Sequence, residues 1–389
     1  MMRPSTRGRR STSSKSVQVE VLAALAGGEL EPVSRPCIDL DDEGVVRGLG
    51  KGCSPSRRLL PGVVVLPALC NAHLHILDAS IAEAGETLPL NELVELPTGL
   101  KYRLLSSLGD EEIAERASTV AARAASEGAL YAGVYAELGA RGVELVRKIM
   151  SAPGSSARIL AQPESKSLEA YSRLLREVGG VGLDTALDLA PWELKQLAGE
   201  ARRIGGHVHV HVSETPELYR SRDYELVLET RPSAAIHLTY LSPEELTELA
   251  RAGIGLVFCP RSNMYHLGRL PALSLIPALA RETMVALGTD NAAWVPPRVA
   301  EEMAFAYIAA HSPGRSSAEA LAETLLRAAT LDCARLLGLE AAAVEEGAPA
   351  DRLLAAALPE AQWSGSLRVT LVKRLSGAPV SILQALLAG

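Results

Sequence analysis

Aromatic side chains are scarce in this 389-residue chain, at 4% of residues. Its interior must therefore be built mainly from alanine, leucine and valine. Long apolar runs are missing as well. VVVLPALC (63–70) is among the longest, far short of the roughly 20 residues that a membrane-spanning helix needs. Positive charge is in deficit. Thirty-nine lysines and arginines face 46 acids, a net charge of −7, which speaks against a nucleic-acid binder, since a phosphate backbone demands a basic face. Cysteines are few and odd in number: Cys37, Cys53, Cys70, Cys259 and Cys333. They form no CxxC pair, so a disulfide framework or a zinc knuckle is not expected, and a reducing cytoplasm fits.

What remains is an ordinary globular composition, 48% hydrophobic and 22% charged, in a chain long enough to bury a large core. Residues 1–16, MMRPSTRGRRSTSSKS, are basic and serine-rich. They lack the apolar stretch of a secretory signal and read as a disordered tail.

Residues 17–66 read as short β-like segments broken by Gly, Pro and Asp. From about residue 67 short apolar runs alternate with longer segments of helical period, the signature of βα units around a parallel sheet. Strands are expected near 68–75, 129–136, 157–162, 180–185, 206–212, 234–238, 254–259 and 284–289. Helices are expected over 110–128, 190–206 and 242–253, the last with Ser242 as N-cap and Glu245 completing a capping box. Eight strands with intervening helices predict a (β/α)8 barrel over 67–344. Two helical stretches, 300–312 and 316–339, follow the last strand. The end of the chain, with SLRVTLVKRL (366–375) and APVSILQALLAG, reads as β-like. Residues 17–66 and 345–389 then make a small β-sandwich domain from both chain ends.

The chemistry-bearing residues fall where such barrels keep their active sites, at the strands' C-terminal ends. His73 and His75 share one side of strand one, a natural half-site for a divalent metal. HVHVHVSET (207–215) puts His207, His209 and His211 on one side of strand five, with Glu214 just beyond. His237 ends strand six, and Gly288-Thr289-Asp290-Asn291 closes strand eight. Taken singly, each has a plain reading as a core histidine or a turn. Their joint placement does not.

These motifs resemble the amidohydrolase superfamily, in the branch of cytosine deaminase, adenosylhomocysteine deaminase and chlorohydrolase-like enzymes. VVVLPALCNAHLH is similar to that branch's PGxxNxHxH motif, with Ala68 where Gly is usual. HVSET, IHL, CPRSN (259–263) and LGTDN (287–291) follow in the family's order. AATLDCARLLGL (328–339) and GAPAD (347–351) resemble its C-terminal signature. The resemblance implies one divalent metal, zinc first with iron or manganese as alternatives, held by His73, His75, His211 and Asp290. It makes Glu214 a proton shuttle and His237 the group that orients water or polarises the substrate. A metal there lowers the pKa of water to supply hydroxide, Asp290 takes the released proton, and Glu214 protonates a ring nitrogen and the departing amine. Some superfamily members hold two metals through a carboxylated lysine on strand four. No lysine lies in 180–189 here, which favours one.

In the strand-five run, only His211 has the three-residue offset to Glu214. His209 and His207 lie about 7 and 13 Å further down the strand, His209 placed to make a hydrogen bond behind the metal. The long segment 88–105 after strand one is expected to build a substrate pocket. Lys101 within it is either a contact for an anionic substrate group or a solvated surface lysine. Glu137, Gln162, Arg261, Asn263 and Tyr265 are further candidate substrate contacts. The expected activity is deamination of an amino-substituted purine, pteridine or pyrimidine. Hydrolysis of a cyclic amide or a C–Cl bond uses the same residue set, and a non-catalytic binding barrel is the alternative of another class. The partner is a small molecule, with no nucleic acid or membrane, and a homo-oligomer is open.

Overall fold

A computed structural model describes residues 16–95, 98–151, 154–311 and 317–388. The tail expected over 1–16 lies, apart from Ser16, outside the described residues. All eight expected barrel strands form: Leu69–His75, Ala129–Ala136, Ser156–Ala161, Gly180–Leu183, His207–Val212, Ala234–His237, Gly255–Phe258 and Val285–Leu287. They pair in parallel in chain order. A two-residue strand, Asp290–Asn291, follows Val285–Leu287 and pairs with strand one at Leu74 and His75, which joins the last strand to the first.

The strands are apolar along nearly their whole length because helices cover the outside and side chains fill the inside. The expected helices run Asp110–Ser126, Pro191–Ile204 and Pro243–Arg251, and Ser242 and Glu245 form the anticipated capping box. Closure of the ring is tight. A Cβ at Gly288 would lie 2.6 Å from the His73 Cβ, so this position in the closing turn admits no side chain.

A second sheet gathers seven strands from both ends of the chain. Arg58–Pro67 lies between Val17–Ala26, to which it runs parallel, and the C-terminal Leu353–Ala357, to which it runs antiparallel. Side chains alternate across it. Val64, Leu66 and Leu354 join the barrel core, while Val65, Leu353 and Ala355 join a separate apolar cluster with Val19, Ile38 and Leu383.

Two expectations are corrected. The C-terminal stretches are only partly β-like: of APVSILQALLAG only Val380–Ile382 is a strand and Leu383–Ala388 is a helix. In 366–375, Leu367–Arg374 is a helix, with the Ser366 side chain accepting from the Val369 amide. It packs against helices Ala318–Ala328 and Val299–Ala310, and this packing with the N-cap overrides the local β-propensity of Val369, Thr370 and Val372. The cysteines are not all unpaired either. Disulfides join Cys37 to Cys53 and Cys70 to Cys333, leaving Cys259 free and buried. The fold brings together Cα atoms 263 residues apart in sequence to 5.8 Å, an approach that sequence spacing does not register. The cysteine pattern therefore no longer argues for a reducing compartment. Among the described residues no helix is long and apolar enough to cross a membrane.

Candidate metal centre

The strand ends carry their histidines to one point at the top of the barrel. His73, His75 and His211 each offer a ligand atom, and these lie within 4.8 Å of one another. His73, His237 and Asp290 do the same. Three of the atoms are closer still. His73 Nε2 is 3.2 Å from both His75 Nε2 and an Asp290 oxygen, and His75 Nε2 is 3.4 Å from that oxygen. Tetrahedral ligands bonded at 2.0–2.1 Å to one zinc stand about 3.3 Å apart, so the spacing suits a shared divalent ion. His211 Nε2 is buried and has no hydrogen-bond partner, a lone pair in need of one. The residues present fit a divalent metal.

Burial also keeps two of the imidazoles in their ligating, neutral form. It pulls His73 down to about 3 and His211 well below its ordinary value. Burial alone would raise Asp290, but its hydrogen bond to His73 and the closeness of His237 and His75 hold it well below the usual carboxylate range. Glu214 sits beside this group, its carboxylate 3.7 Å from His237 Nε2. Burial pushes its pKa up, opposed by His237, which makes it a better proton carrier than a surface glutamate.

Supporting residues hold each of these side chains. Asn263 Oδ1 lies 2.9 Å from His237 Nδ1, and Ser262 donates to the outer oxygen of Asp290 at 2.5 Å. Asn71 donates to the Thr289 hydroxyl and accepts from its amide, tying strand one to the turn before Asp290. The Tyr135 ring packs on His73, His75 and His211. Three positions here have left-handed backbone. His237, Asp290 and Ser213 take φ of +72°, +66° and +45°, conformations that non-glycine residues adopt only when their surroundings impose them.

Residues 64–373 match the amidohydrolase family. The chain belongs to that family. It is 28% identical to a putative aminohydrolase of Methanothermobacter thermautotrophicus over 355 residues, 86% of this chain and 90% of the relative. It is also 28% identical to a 5-methylthioadenosine/S-adenosylhomocysteine deaminase of Moorella thermoacetica, over 75% of this chain and 73% of the relative. An atrazine chlorohydrolase from Arthrobacter aurescens, crystallised with zinc, superposes with a TM-score of 0.72 at 16% identity, over 92% and 91% of the two chains. The last likeness is one of fold.

In this amidohydrolase the histidine–aspartate cluster opens into a cavity of about 830 Å³, lined by His75, Lys101, Tyr102, Lys166, Asp184, Glu214, His237, His266 and Asp290, among others. The segment expected to wall it does so through two short helices, Leu90–Val94 and Leu100–Ser107. Several predicted contacts are committed elsewhere. Lys101 is neither solvated nor free for a substrate anion: it is 3% exposed and bonds Asp78 at 3.0 Å and Glu137 at 2.9 Å. Glu137, wholly buried, also contacts His75 Nδ1 at 2.5 Å. Arg261 is held by Glu301, Glu302 and two backbone carbonyls. Asn263 braces His237. Gln162 donates to Asp184 and lines a neighbouring cavity of about 390 Å³ that shares Tyr102, Lys166 and Asp184 with the larger one. Tyr265 is exposed, against His266.

His209 is fully buried, but neither ring nitrogen has a partner, so the expected hydrogen bond behind the metal is absent. Asp78 escaped notice altogether. It follows the second histidine by three residues in HLHILD, and its acceptor role emerges only when Lys101 and Asn291 reach it.

Proposed function

We propose that the protein is a zinc-dependent deaminase of a neutral, amino-substituted heterocycle. The observation that carries this reading is the joining of Glu214 and His237 to the His73–His75–His211–Asp290 cluster at the floor of one cavity. Those four side chains are assigned as the metal ligands. Three imidazoles and one carboxylate suit zinc, with iron or manganese as substitutes. The bound metal supplies water activated as a nucleophile.

The remaining steps belong to the chain. Asp290, its outer oxygen steadied by Ser262, takes the proton released as water adds to the amino-bearing carbon. His237, its Nδ1 fixed by Asn263, directs Nε2 at the developing oxygen. Glu214, protonated at the start, delivers its proton to the neighbouring ring nitrogen. The proton held by Asp290 then passes through Glu214 to the leaving amine, which departs as ammonia, and the hydroxyl proton of the new carbonyl oxygen returns Glu214 to its protonated form.

The cavity's charge narrows the substrate. Among the described residues lining it, both lysines already face two carboxylates: Lys101 those of Asp78 and Glu137, Lys166 those of Asp184 and Asp188. A phosphate or carboxylate on the substrate would find no unpaired lysine, while a neutral base meets acceptors in Asp184 and Glu214. The volume lies within the range of small-molecule sites. One metal per chain is the expected stoichiometry. The neighbouring His75–Asp78–Glu137 group could hold a second ion, but the Lys101 ammonium already lies within hydrogen-bond distance of both acids.

A screen of neutral aminopurines, aminopteridines and aminopyrimidines, scoring ammonia, chloride and carboxylate separately, tests the reading. Ammonia from a neutral substrate supports it. Chloride from a chloro-heterocycle or carboxylate from a cyclic amide, without ammonia, replaces it with the other hydrolase chemistry. A protein that takes up no divalent metal on reconstitution overturns both.

A further inference from the structure

We propose that Lys101 is a positioning residue for the metal centre, a buried cation that holds two acids in place, each tied to a different ligand-bearing strand. This rests on the metal-centre reading above. The ammonium is 2.9 Å from Glu137 Oε1, and the same oxygen is 2.5 Å from His75 Nδ1. It is 3.0 Å from Asp78 Oδ2, which also accepts from Asn291 Nδ2 at 2.6 Å. Asn291 follows Asp290 and pairs with His75 across the closing strand. One lysine thus touches both sides of the centre, through Glu137 to His75 and through Asp78 to the Asp290–Asn291 pair.

The chemistry of the link is specific. A carboxylate at Nδ1 accepts that proton and leaves the Nε2 lone pair free, so the ring can ligate only through Nε2. It is Nε2 that points at His73 and Asp290. Glu137 and Asp78 are both wholly buried, and two carboxylates so close need a cation between them to stay ionised. Lys101 supplies it from Leu100–Ser107, a helix that also walls the cavity. The metal geometry and the substrate wall therefore share one buried contact.

The test uses the full chain loaded with zinc or cobalt(II). Lys101→Met removes the cation at similar volume. Because it leaves two buried acids facing each other, Lys101→Met/Asp78→Asn accompanies it, which removes one charge of each sign and lets the new amide still accept from Asn291. Metal release to a chelator should quicken by about 10- to 100-fold in the double variant, and its cobalt absorption bands should shift. A folded double variant with wild-type release and an unchanged cobalt spectrum overturns the proposal. Imidazole nitrogen NMR of the zinc-loaded wild type keeps it falsifiable if neither variant folds: His75 must show a protonated Nδ1 and a metal-bound Nε2, and the opposite assignment overturns it. Wild-type protein that binds no metal overturns instead the metal centre on which the inference rests.

Discussion

His207 begins the strand that His211 nearly ends, and it offers a quantitative test of how deep the barrel interior runs. Burial, reinforced by the positive charge of Arg158, lowers its pKa from 6.5 to about 4. The unfolded chain therefore takes up this proton first. Stability from His207 is present in full above about pH 6.5 and is lost as pH falls from there towards 4. With unfolded and folded values of 6.5 and about 4, the loss between pH 7 and pH 5 is about 2 kcal/mol, at 1.36 kcal/mol per pKa unit. Partial exposure of the ring at the strand's start reduces this to roughly 1–2 kcal/mol. The assay is urea unfolding of chelator-treated wild type and His207→Gln at both pH values. The other histidines are common to the two proteins, so the change in the stability gap isolates this one. The wild type should lose about 1–2 kcal/mol relative to the variant on going to pH 5. A gap that does not change between pH 7 and pH 5 means that His207 titrates as a solvated residue, and the assigned depth of strand five is wrong.

The other strand-five histidines should behave differently. His211→Ala should lose its metal, measured by elemental analysis after gel filtration. His209→Ala should retain metal and lose about 2 kcal/mol of stability through the cavity it leaves; the reverse outcome would mean the strand register is wrong. Glu214→Gln should keep its metal content while turnover falls at least 100-fold, the scale of a lost general acid–base; full activity would remove Glu214 from the proton path. Gly288→Ala should lower thermal stability by about 1–3 kcal/mol and weaken metal binding, because its Cβ displaces His73. Unchanged melting and metal affinity would show that the closing turn is looser than described.

The barrel was legible because its signals are local. Each strand is a short apolar run bounded by turn residues, and each clear helix carries its own cap, as at Ser242 and Glu245. The metal-site histidines were legible for the same reason, since a two-residue spacing in a strand is enough to place His73 beside His75. The supporting contacts were not. Lys101 reads as a loop lysine until the chain closes Asp78 and Glu137 around it, and Arg261 reads as a pocket residue until Glu301 and Glu302 arrive from a later helix. Helix Leu367–Arg374 misled for a related reason: its residues suit either state, and its packing partners decided.

Local order in the sequence thus determined the alternation of strands and helices, the barrel they form and the strand ends that carry the histidines. Hydrophobic periodicity and turn chemistry act over a few residues and leave their mark in the order of the letters. Tertiary structure alone decided the cysteine pairing, the buried Lys101–Asp78–Glu137 cluster and the pairing of the cavity's lysines with carboxylates. Each of these depends on charges or sulfur atoms that meet only after distant segments pack, at separations of 23 residues for Asp78 and Lys101 and 263 for Cys70 and Cys333. Burial then gives such meetings their energetic weight, because a charge removed from water is tolerable only beside its partner.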